Sequence, residues 1–503
     1  MLDTLTSSFE ISLRELAPHA QFNGARDIRV QRCSADSRTV SPGDVFFALP
    51  GMHRDGRDYV PQAESRGASA VVAERPVEVG LPLAVVPDSR ELFARTCQAL
   101  AGYPGRHLKA IGVTGTNGKT TTTRLIASVL AEAGATVGTL GTLGYCDSVD
   151  REPAELTTPT ADTLAQWLAR MTARDCSHAV MEVSSQAIAE RRVAGIEFAH
   201  VCLTNLGRDH LDYHPSLAAY HRAKIQLFER MAAGGTAVVN VDDPKCREHL
   251  PLLPGRVITV GLHREADLTA TLVERFKSEQ TFLLTAGRVS MPVRTAMIGD
   301  HHLANCLMAA AVGVAEGVEL TAVVRGLEAV RYVPGRLERI ECGQPFGTFV
   351  DYAHTPEALA VSLNALREVT PGRLICVFGA GGNRDTGKRP LMGEIVESLA
   401  DLAVVTTDNP RFEDPHAIAT EIFAGFRQGH EARWIADRQQ AIEYALWLAE
   451  ADDCVLIAGR GHEPFQTVGQ ARLPLDDRDV ARRYLYNLAP RSQYDALSAV
   501  GNS

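Results

Sequence analysis

Ile111-Gly112-Val113-Thr114-Gly115-Thr116-Asn117-Gly118-Lys119-Thr120-Thr121 is the stretch on which the reading of this chain turns. An apolar run enters a glycine loop, and Gly-Lys-Thr opens a helix. Glycines let backbone N–H groups turn inward on a phosphate, and the helix start adds its partial positive charge. Lys119 supplies a point charge for the outer phosphates of ATP, and the Thr120 hydroxyl is placed to ligate Mg²⁺. Gly115, Thr116, Asn117, Gly118, Lys119, Thr120 and Thr121 are therefore the expected nucleotide contacts. The match to G-x-x-x-x-G-K-[ST] is imperfect, because Val113 stands where the first glycine belongs. Gly382-Asn383-Arg384-Asp385-Thr386-Gly387-Lys388 satisfies the spacing but is followed by Arg389, which offers no hydroxyl to a metal. That second loop reads as an anion-contacting loop.

Outward from the phosphate loop, TTTRLIASVLAEAG reads as a helix closed by Gly134. AVMEV, FAHVCLTNL and TAVVNV read as buried strands, near-continuous apolar runs that suit a parallel sheet covered on both faces. GDHHLANCLMAAAVGVAEG reads as another helix. Before the loop, VFFAL, ASAVVA and PLAVV read as short strands backed by a helix over ELFARTCQALAGY, with a turn cluster at Tyr103-Pro104-Gly105-Arg106. A second break falls at Val333-Pro334-Gly335. Beyond it TFVDYAH, LICVFGAGG, LAVVTTDNP and DCVLIAGRG alternate with helical segments, and ligands of such open sheets gather past the carboxyl ends of the strands. The expected fold class is α/β with three domains. A central P-loop-type ATP-binding parallel-sheet domain (105–333) is flanked by a small N-terminal α/β domain (1–104) and a C-terminal Rossmann-like open-sheet domain (334–503).

Composition narrows the partners. The 503 residues carry 51 Lys+Arg against 61 Asp+Glu, a formal net charge of -10, which excludes a globally basic nucleic-acid binder while allowing a local basic groove. The 10 cysteines contain no CxxC pair, so a reduced protein without structural zinc is expected. The first residues lack the basic-then-apolar pattern of a secretory signal, and no run is apolar and long enough to span a membrane. A cytoplasmic location with no membrane partner is expected, and the polar tail after Pro490 is expected to fray.

GTNGKTTT, MEVSS (Met181 to Ser185), TNLGRDHLDYH (Thr204 to His214), PGRLE (Pro334 to Glu338) and DYAHTP (Asp351 to Pro356) occur in one order. Together they resemble the Mur ligases, ATP-dependent amide-forming enzymes of peptidoglycan precursor synthesis. The resemblance runs from Asp36-Ser37-Arg38 to Glu463. It implies that ATP phosphorylates a D-Glu side-chain carboxylate and that an incoming amine attacks the acyl phosphate. It implies Lys119, Glu182, His210 and Lys224 as catalytic residues, with Thr120, Glu182, His210 and a carbamylated Lys224 around Mg²⁺. Read alone, Glu182 is equally a capping carboxylate and His210 a backbone-bonded loop histidine, while Lys224 reads as a surface lysine on an amphipathic helix. His214 is read as structural. Asn305, Arg336 and Asp351 are implied adenosine contacts, and His302 departs from the family's asparagine. Ser37 matches a UDP-binding position flanked by Met52, His53 and Arg54. Thr157, Thr158, Ser184 and Arg192 match positions that hold the muramyl peptide. Glu190, where some relatives carry Gln, is unfavourable beside an anionic substrate unless Arg191 or Arg192 pairs with it.

Asp408-Asn409-Pro410-Arg411 resembles the amino-acid selection motif of those family members that add meso-diaminopimelate. That substrate carries two carboxylates and two ammonium groups, and a bidentate arginine suits the extra carboxylate. Arg411 is the candidate for it, with Arg384 near the other carboxylate. Pro410 fixes the turn, Asn409 offers donor and acceptor, and Glu463, with Gly459 and Asp408 nearby, is placed to hold an ammonium. By spacing alone, the motif also reads as a surface Asx-Pro turn. The implied partners are UDP-muramyl-dipeptide and meso-diaminopimelate, with a monomer expected and hinge closure of the three domains around ATP. Alternatives are the same ligation with L-lysine, a folate-type polyglutamate ligase, or a P-loop ATPase or kinase with attached binding modules.

Overall fold

A computed structural model describes residues 10–51, 54–427 and 432–488. The expectations for Met52, His53 and the tail after Pro490 lie outside the described residues. Among these, helices alternate with three major sheets, in keeping with the α/β expectation. The N-terminal sheet has five strands; its parallel part includes Val45–Phe47, Ala70–Ala73 and Leu83–Val85, the three anticipated runs. Helix Ser89–Leu100, capped by the Asp88 carboxylate, packs behind it and against helix Ala161–Ala173 of the next unit.

The central sheet has eleven strands. Its parallel heart runs Val137–Gly141, His178–Glu182, Lys109–Thr114, Phe198–Leu203, Met231–Asn240 and Arg256–Gly261 across the sheet. Continuous apolar runs became buried strands here because helices cover both faces. The sheet is not wholly parallel, contrary to the expectation of a parallel-sheet domain. Leu268–Arg275, Gln280–Ala286 and Val289–Thr295 add an antiparallel wing at one edge. Their outward positions, such as Leu272 and Val289, stay exposed, so the alternation that marks a half-covered sheet replaces the continuous run.

Helix Lys119–Glu132 carries four threonines, Thr120 to Thr123, directly after Lys119, β-branched residues that favour a helix poorly. Tertiary contacts hold it: Leu125, Ile126, Val129 and Leu130 are buried against helices Asp300–Ala315 and Leu320–Glu328, and the Thr122 hydroxyl donates to Asn305 Oδ1 (3.1 Å). The C-terminal sheet has six strands, parallel through Gly347–Asp351, Cys454–Ala458, Leu374–Phe378, Leu402–Val405 and Ala432–Trp434. The first four are the four anticipated strands. Their carboxyl ends carry Asp351, Gly459, Gly379 and Asp408.

Candidate active site

The phosphate loop takes its shape from close approach. Gly115 has φ 146°, and a Cβ there would lie 1.9 Å from Thr204 Oγ1; Gly118 caps the helix at φ 84°, and a Cβ there would lie 2.5 Å from Asn305 Oδ1. Only glycine fits both places. The segment after strand Phe198–Leu203 clamps the loop: Thr116 N donates to the Asn205 carbonyl (2.9 Å), Asn117 N to Asn205 Oδ1 (2.8 Å), and Thr204 Oγ1 to the Asn117 carbonyl (2.6 Å). Lys119 Nζ donates back to the carbonyls of Gly115 and Thr116, at 2.8 and 2.9 Å, which holds its charge over the loop. Burial pulls its pKa down while Glu182 and Asp209 oppose that pull.

Glu182 ends strand His178–Glu182 and is buried on the cleft floor. Its carboxylate accepts from Thr120 Oγ1 (2.9 Å), Thr142 N (2.8 Å) and Thr142 Oγ1 (3.1 Å). Arg336 reaches over from the Val333–Gly335 break, donating to Thr120 Oγ1 (3.1 Å) while its guanidinium lies 4.4 Å from the Tyr352 ring centre. Residues 116–121, Thr142, Thr157, Glu182, Ser184, His210, Lys224, Asn305, Arg336 and Asp351 thereby line one cavity of about 450 Å³.

Lys224 is not a surface lysine. It is 1% exposed, its Nζ donates to the Gly115 carbonyl (2.7 Å), and it lies 4.3 Å from the Tyr220 ring centre. Burial, then the neighbouring Lys119, holds its pKa well below the lysine range. Helix Leu217–Ile225 has apolar and polar residues all round, so its sequence pattern did not show which side faces the cleft.

Asp209 and His354, inside the motifs TNLGRDHLDYH and DYAHTP, also line this cavity. His354 Nε2 lies 3.5 Å from Asp209 Oδ2, and its Nδ1 faces the Tyr352 carbonyl at 2.7 Å. Burial alone would raise the Asp209 pKa; His354, His210 and Lys388 together hold it well below the carboxylate range. His210, in a left-handed turn at φ 54°, faces Asp209 at 3.5 Å. His214 instead pairs with Ser185 Oγ (3.0 Å) inside the protein, as a structural histidine.

The positions expected to hold the muramyl peptide adjoin this floor. Thr158 Oγ1 donates to the Glu182 carbonyl (2.9 Å), and Ser184 Oγ caps helix Ser185–Ala189. Arg192 donates to the Thr158 carbonyl (2.9 Å) and pairs with Glu190, so the carboxylate at 190 has the cation it requires. Ser37 is not brought to the cleft: it donates to Gln62 Oε1 (2.6 Å) within the N-terminal unit.

The positions expected to hold the amino acid form a second cluster past the ends of the C-terminal strands, joined to the first through Tyr352, whose hydroxyl is 3.4 Å from Glu463 Oε1. Asn409 Nδ2 donates to Glu463 Oε2 (2.8 Å) and its Oδ1 accepts from Thr467 N (2.8 Å). Among the described residues, Asp408 Oδ2 is buried without a partner, and a Cβ on Gly459 would come within 2.6 Å of it. Burial, then Asp408, raises the pKa of Glu463. Two crowded carboxylates of this kind suit an ammonium. Arg411, at φ 51°, donates to the Gly382 carbonyl (2.7 Å), and burial followed by the charge of Arg384 lowers its pKa. Two guanidiniums that disfavour one another suit an anion between them. Pro410 packs its carbonyl against Gly382, where a Cβ would come within 1.9 Å. Beneath the cluster, Arg438 and Asp477 form a fully buried pair (2.7 Å) with Arg460 beside it, none of them anticipated from sequence. The loop 382–388 carries ion pairs rather than an open cradle: Arg384 pairs with Asp212 (2.8 Å) and Asp385 with Arg208 (3.1 Å).

Magnesium fits the cleft floor. Thr120 Oγ1 and Glu182 Oε2 are hard oxygen donors 2.9 Å apart. No cluster of three or more His, Cys, Asp or Glu forms a metal cage among the described residues. Mg²⁺ characteristically takes one or two protein oxygens and completes its octahedron with phosphates and water.

Three family models match this chain: the Mur ligase middle domain over residues 113–313, the Mur ligase glutamate ligase domain over 335–461, and the Mur ligase family catalytic domain over 29–98. The chain belongs to the Mur ligase family. A UDP-N-acetylmuramoyl-L-alanyl-D-glutamate–2,6-diaminopimelate ligase of Gloeobacter violaceus is 42% identical over 467 residues, covering 91% of this chain and 94% of that protein. The enzyme of the same name from Syntrophomonas wolfei is 40% identical over 470 residues, covering 92% and 96%. A solved structure under that name superposes with a TM-score of 0.68 at 31% identity, covering 96% of this chain and all of the other. A MurF ligase from Thermotoga maritima in complex with ADP shares the fold, with a TM-score of 0.63 at 20% identity over 91% of this chain and 98% of that one. As a ligase matched in all three sheet-bearing regions, the chain is not a stand-alone ATPase with appended modules.

Proposed function

We propose that this protein joins meso-2,6-diaminopimelate to UDP-N-acetylmuramoyl-L-alanyl-D-glutamate, converting ATP to ADP and phosphate, in peptidoglycan precursor synthesis. It works in the cytoplasm as a monomer of three domains divided near residues 104 and 333. The observation that carries the reading is the pairing of a phosphate loop on the Glu182 floor with the Arg384–Asn409–Arg411–Glu463 cluster, linked through Tyr352.

A carboxylate and an ammonium form a salt in water and do not condense. Phosphorylation gives the carboxyl carbon a leaving group, but it requires two anions to meet. Lys119, fixed over the loop by two carbonyls, offers its charge to the outer phosphates of ATP. Thr120 and Glu182, with His210 at the rim, would hold Mg²⁺, which would supply neutralisation of phosphate charge. Asn305, Arg336 and Asp351 hold the adenosine, and Ser37 holds the uridine end. Thr157, Thr158, Ser184 and Arg192 position the D-Glu carboxylate. Because Glu190 shares Arg192, that arginine acts as an orienting donor with part of its charge already answered. The amine then displaces phosphate from the acyl carbon and loses a proton as the amide forms.

Lys224 must be a neutral amine to capture CO₂, and its burial beside Lys119 favours that form. As a carbamate it would offer oxygens able to hold a second Mg²⁺ and would place an anion beside the Lys119 charge. The deciding experiment supplies purified protein with ATP, Mg²⁺, the UDP-muramyl dipeptide and either meso-diaminopimelate or L-lysine, and follows the tripeptide product by mass. Product with diaminopimelate in preference to lysine is expected; nucleotide hydrolysis without tripeptide would sink the reading.

A further inference from the structure

A second cavity, of about 1030 Å³, lies between helix Lys119–Glu132, strand Val137–Gly141 and the 329–334 connection. Two side chains line both it and the nucleotide cleft: Thr120 and Glu182. The hydrogen bond between them is the partition separating the two spaces. The second cavity is cationic in a chain of net charge -10: Arg124, Arg151 and Arg331 line it, and Glu182 is its one carboxylate among the described lining residues. Among the described residues, no ion pair or side-chain hydrogen bond engages these three guanidiniums, whereas Arg478 at the far wall is taken by Asp476 (2.6 Å). His462 also lines the cavity and leaves its Nδ1 buried without a partner. Ala127, Ser128, Ala131, Gly141 and Gly144 keep the walls low.

We propose that this cavity is a binding site for inorganic phosphate, and the route by which phosphate leaves after amide formation. The exit role rests on the ligase reading; the anion site does not. The nucleotide cleft is walled by substrate and ADP when the bond forms, so phosphate freed beside Thr120 has a second opening on the other side of the Thr120–Glu182 partition. Unpaired guanidiniums beyond it attract a dianion, and a cleft lined with one sign of charge focuses that attraction. The arginines are exposed, so bound phosphate passes on to solvent.

The test uses the full chain and phosphate itself. In a Lys119→Ala background, which removes the principal cation of the phosphate loop, calorimetric titration with inorganic phosphate is expected to show one remaining site. Adding Arg124→Ser, Arg151→Ser and Arg331→Ser abolishes that site, and Arg→Lys at the same positions retains it. No binding in Lys119→Ala, or equal binding after the serine changes, overturns the site. In single turnovers of the triple serine variant with the Lys119 loop intact, amide formation stays at the wild-type rate. Phosphate release, read by a fluorescent phosphate sensor, lags it by about tenfold. Release in step with amide formation overturns the exit role. A wild-type protein that makes no amide would count against the ligase reading alone, and the titration would still decide the site.

Discussion

Residues 112–121 and residues 382–388 each place glycines ahead of a lysine at the start of a helix, and the second matches the nucleotide-loop spacing more literally than the first. Their structures differ in what fills the space around the backbone. In the first, Gly115 and Gly118 have positive φ and touch Thr204 and Asn305, so the chain is folded tightly around a place for phosphate. In the second, Gly387 has φ -63°, and Arg384 and Asp385 reach outward to Asp212 and Arg208 of the central unit. One loop is a cradle and the other a clasp beside the amino-acid cluster. Spacing of residue types does not separate them; backbone conformation and the identity of the neighbours do.

The largest expected effect sharpens this contrast. Gly115→Ala drives a Cβ into Thr204, and Lys119→Ala removes the phosphate charge; ADP release in the full reaction should fall about a thousandfold in each. Gly387→Ala meets only the flexible ends of Arg208 and Asp385, at 3.1 and 3.2 Å, and should leave the rate within about twofold. Equal losses at 115 and 387 would erase the distinction between the loops.

Lys224 extends the cradle. Lys224→Ala should lower kcat about a hundredfold or more. Protein equilibrated with ¹³C-bicarbonate should show a carbamate carbon by NMR that the variant lacks, and no such signal in active wild-type protein would remove the carbamate from the mechanism.

On the clasp side, Arg411→Ala should raise KM for diaminopimelate about 10- to 100-fold, the cost of a charge-assisted contact, while KM for ATP holds. A matching rise in the ATP KM would merge the two regions into one site. Glu463 gives this side a pH signature. Its pKa lies above the usual carboxylate value, and only the ionised form holds an ammonium, so KM for the amino acid should climb as pH falls through that raised pKa. Glu463→Gln should flatten the profile.

The smallest effect belongs to the clasp's own charges. The Arg208–Asp385 pair is partly exposed, and Asp385→Asn should change unfolding free energy by less than about 1 kcal/mol. A larger loss in denaturant titration would show that the clasp carries stability as well as position.

The ordered motifs, the buried parallel strands and the strand–loop–helix cradle were legible in sequence, because glycine, lysine and continuous apolar runs each have few physical uses in such a context. The antiparallel wing was not, since its alternating residues resemble many exposed loops until a sheet edge pairs with them. Lys224 was legible only as a motif position; its burial depends on which way helix Leu217–Ile225 turns against the loop. Asp209 and His354 lie 145 positions apart (354 − 209), and nothing in either local stretch says that they meet.

By itself, then, the sequence determined where phosphate-binding backbone and buried strands must form, since those follow from local conformational freedom and hydrophobic pattern. Tertiary structure alone decided which charges are answered by neighbours and which are left for ligands. Arg438 is answered by Asp477 and Arg478 by Asp476, while Asp408 Oδ2 is left open among the described residues. Electrostatic pairing acts between groups brought together by folding, at separations of a few ångströms that positions along a chain do not encode.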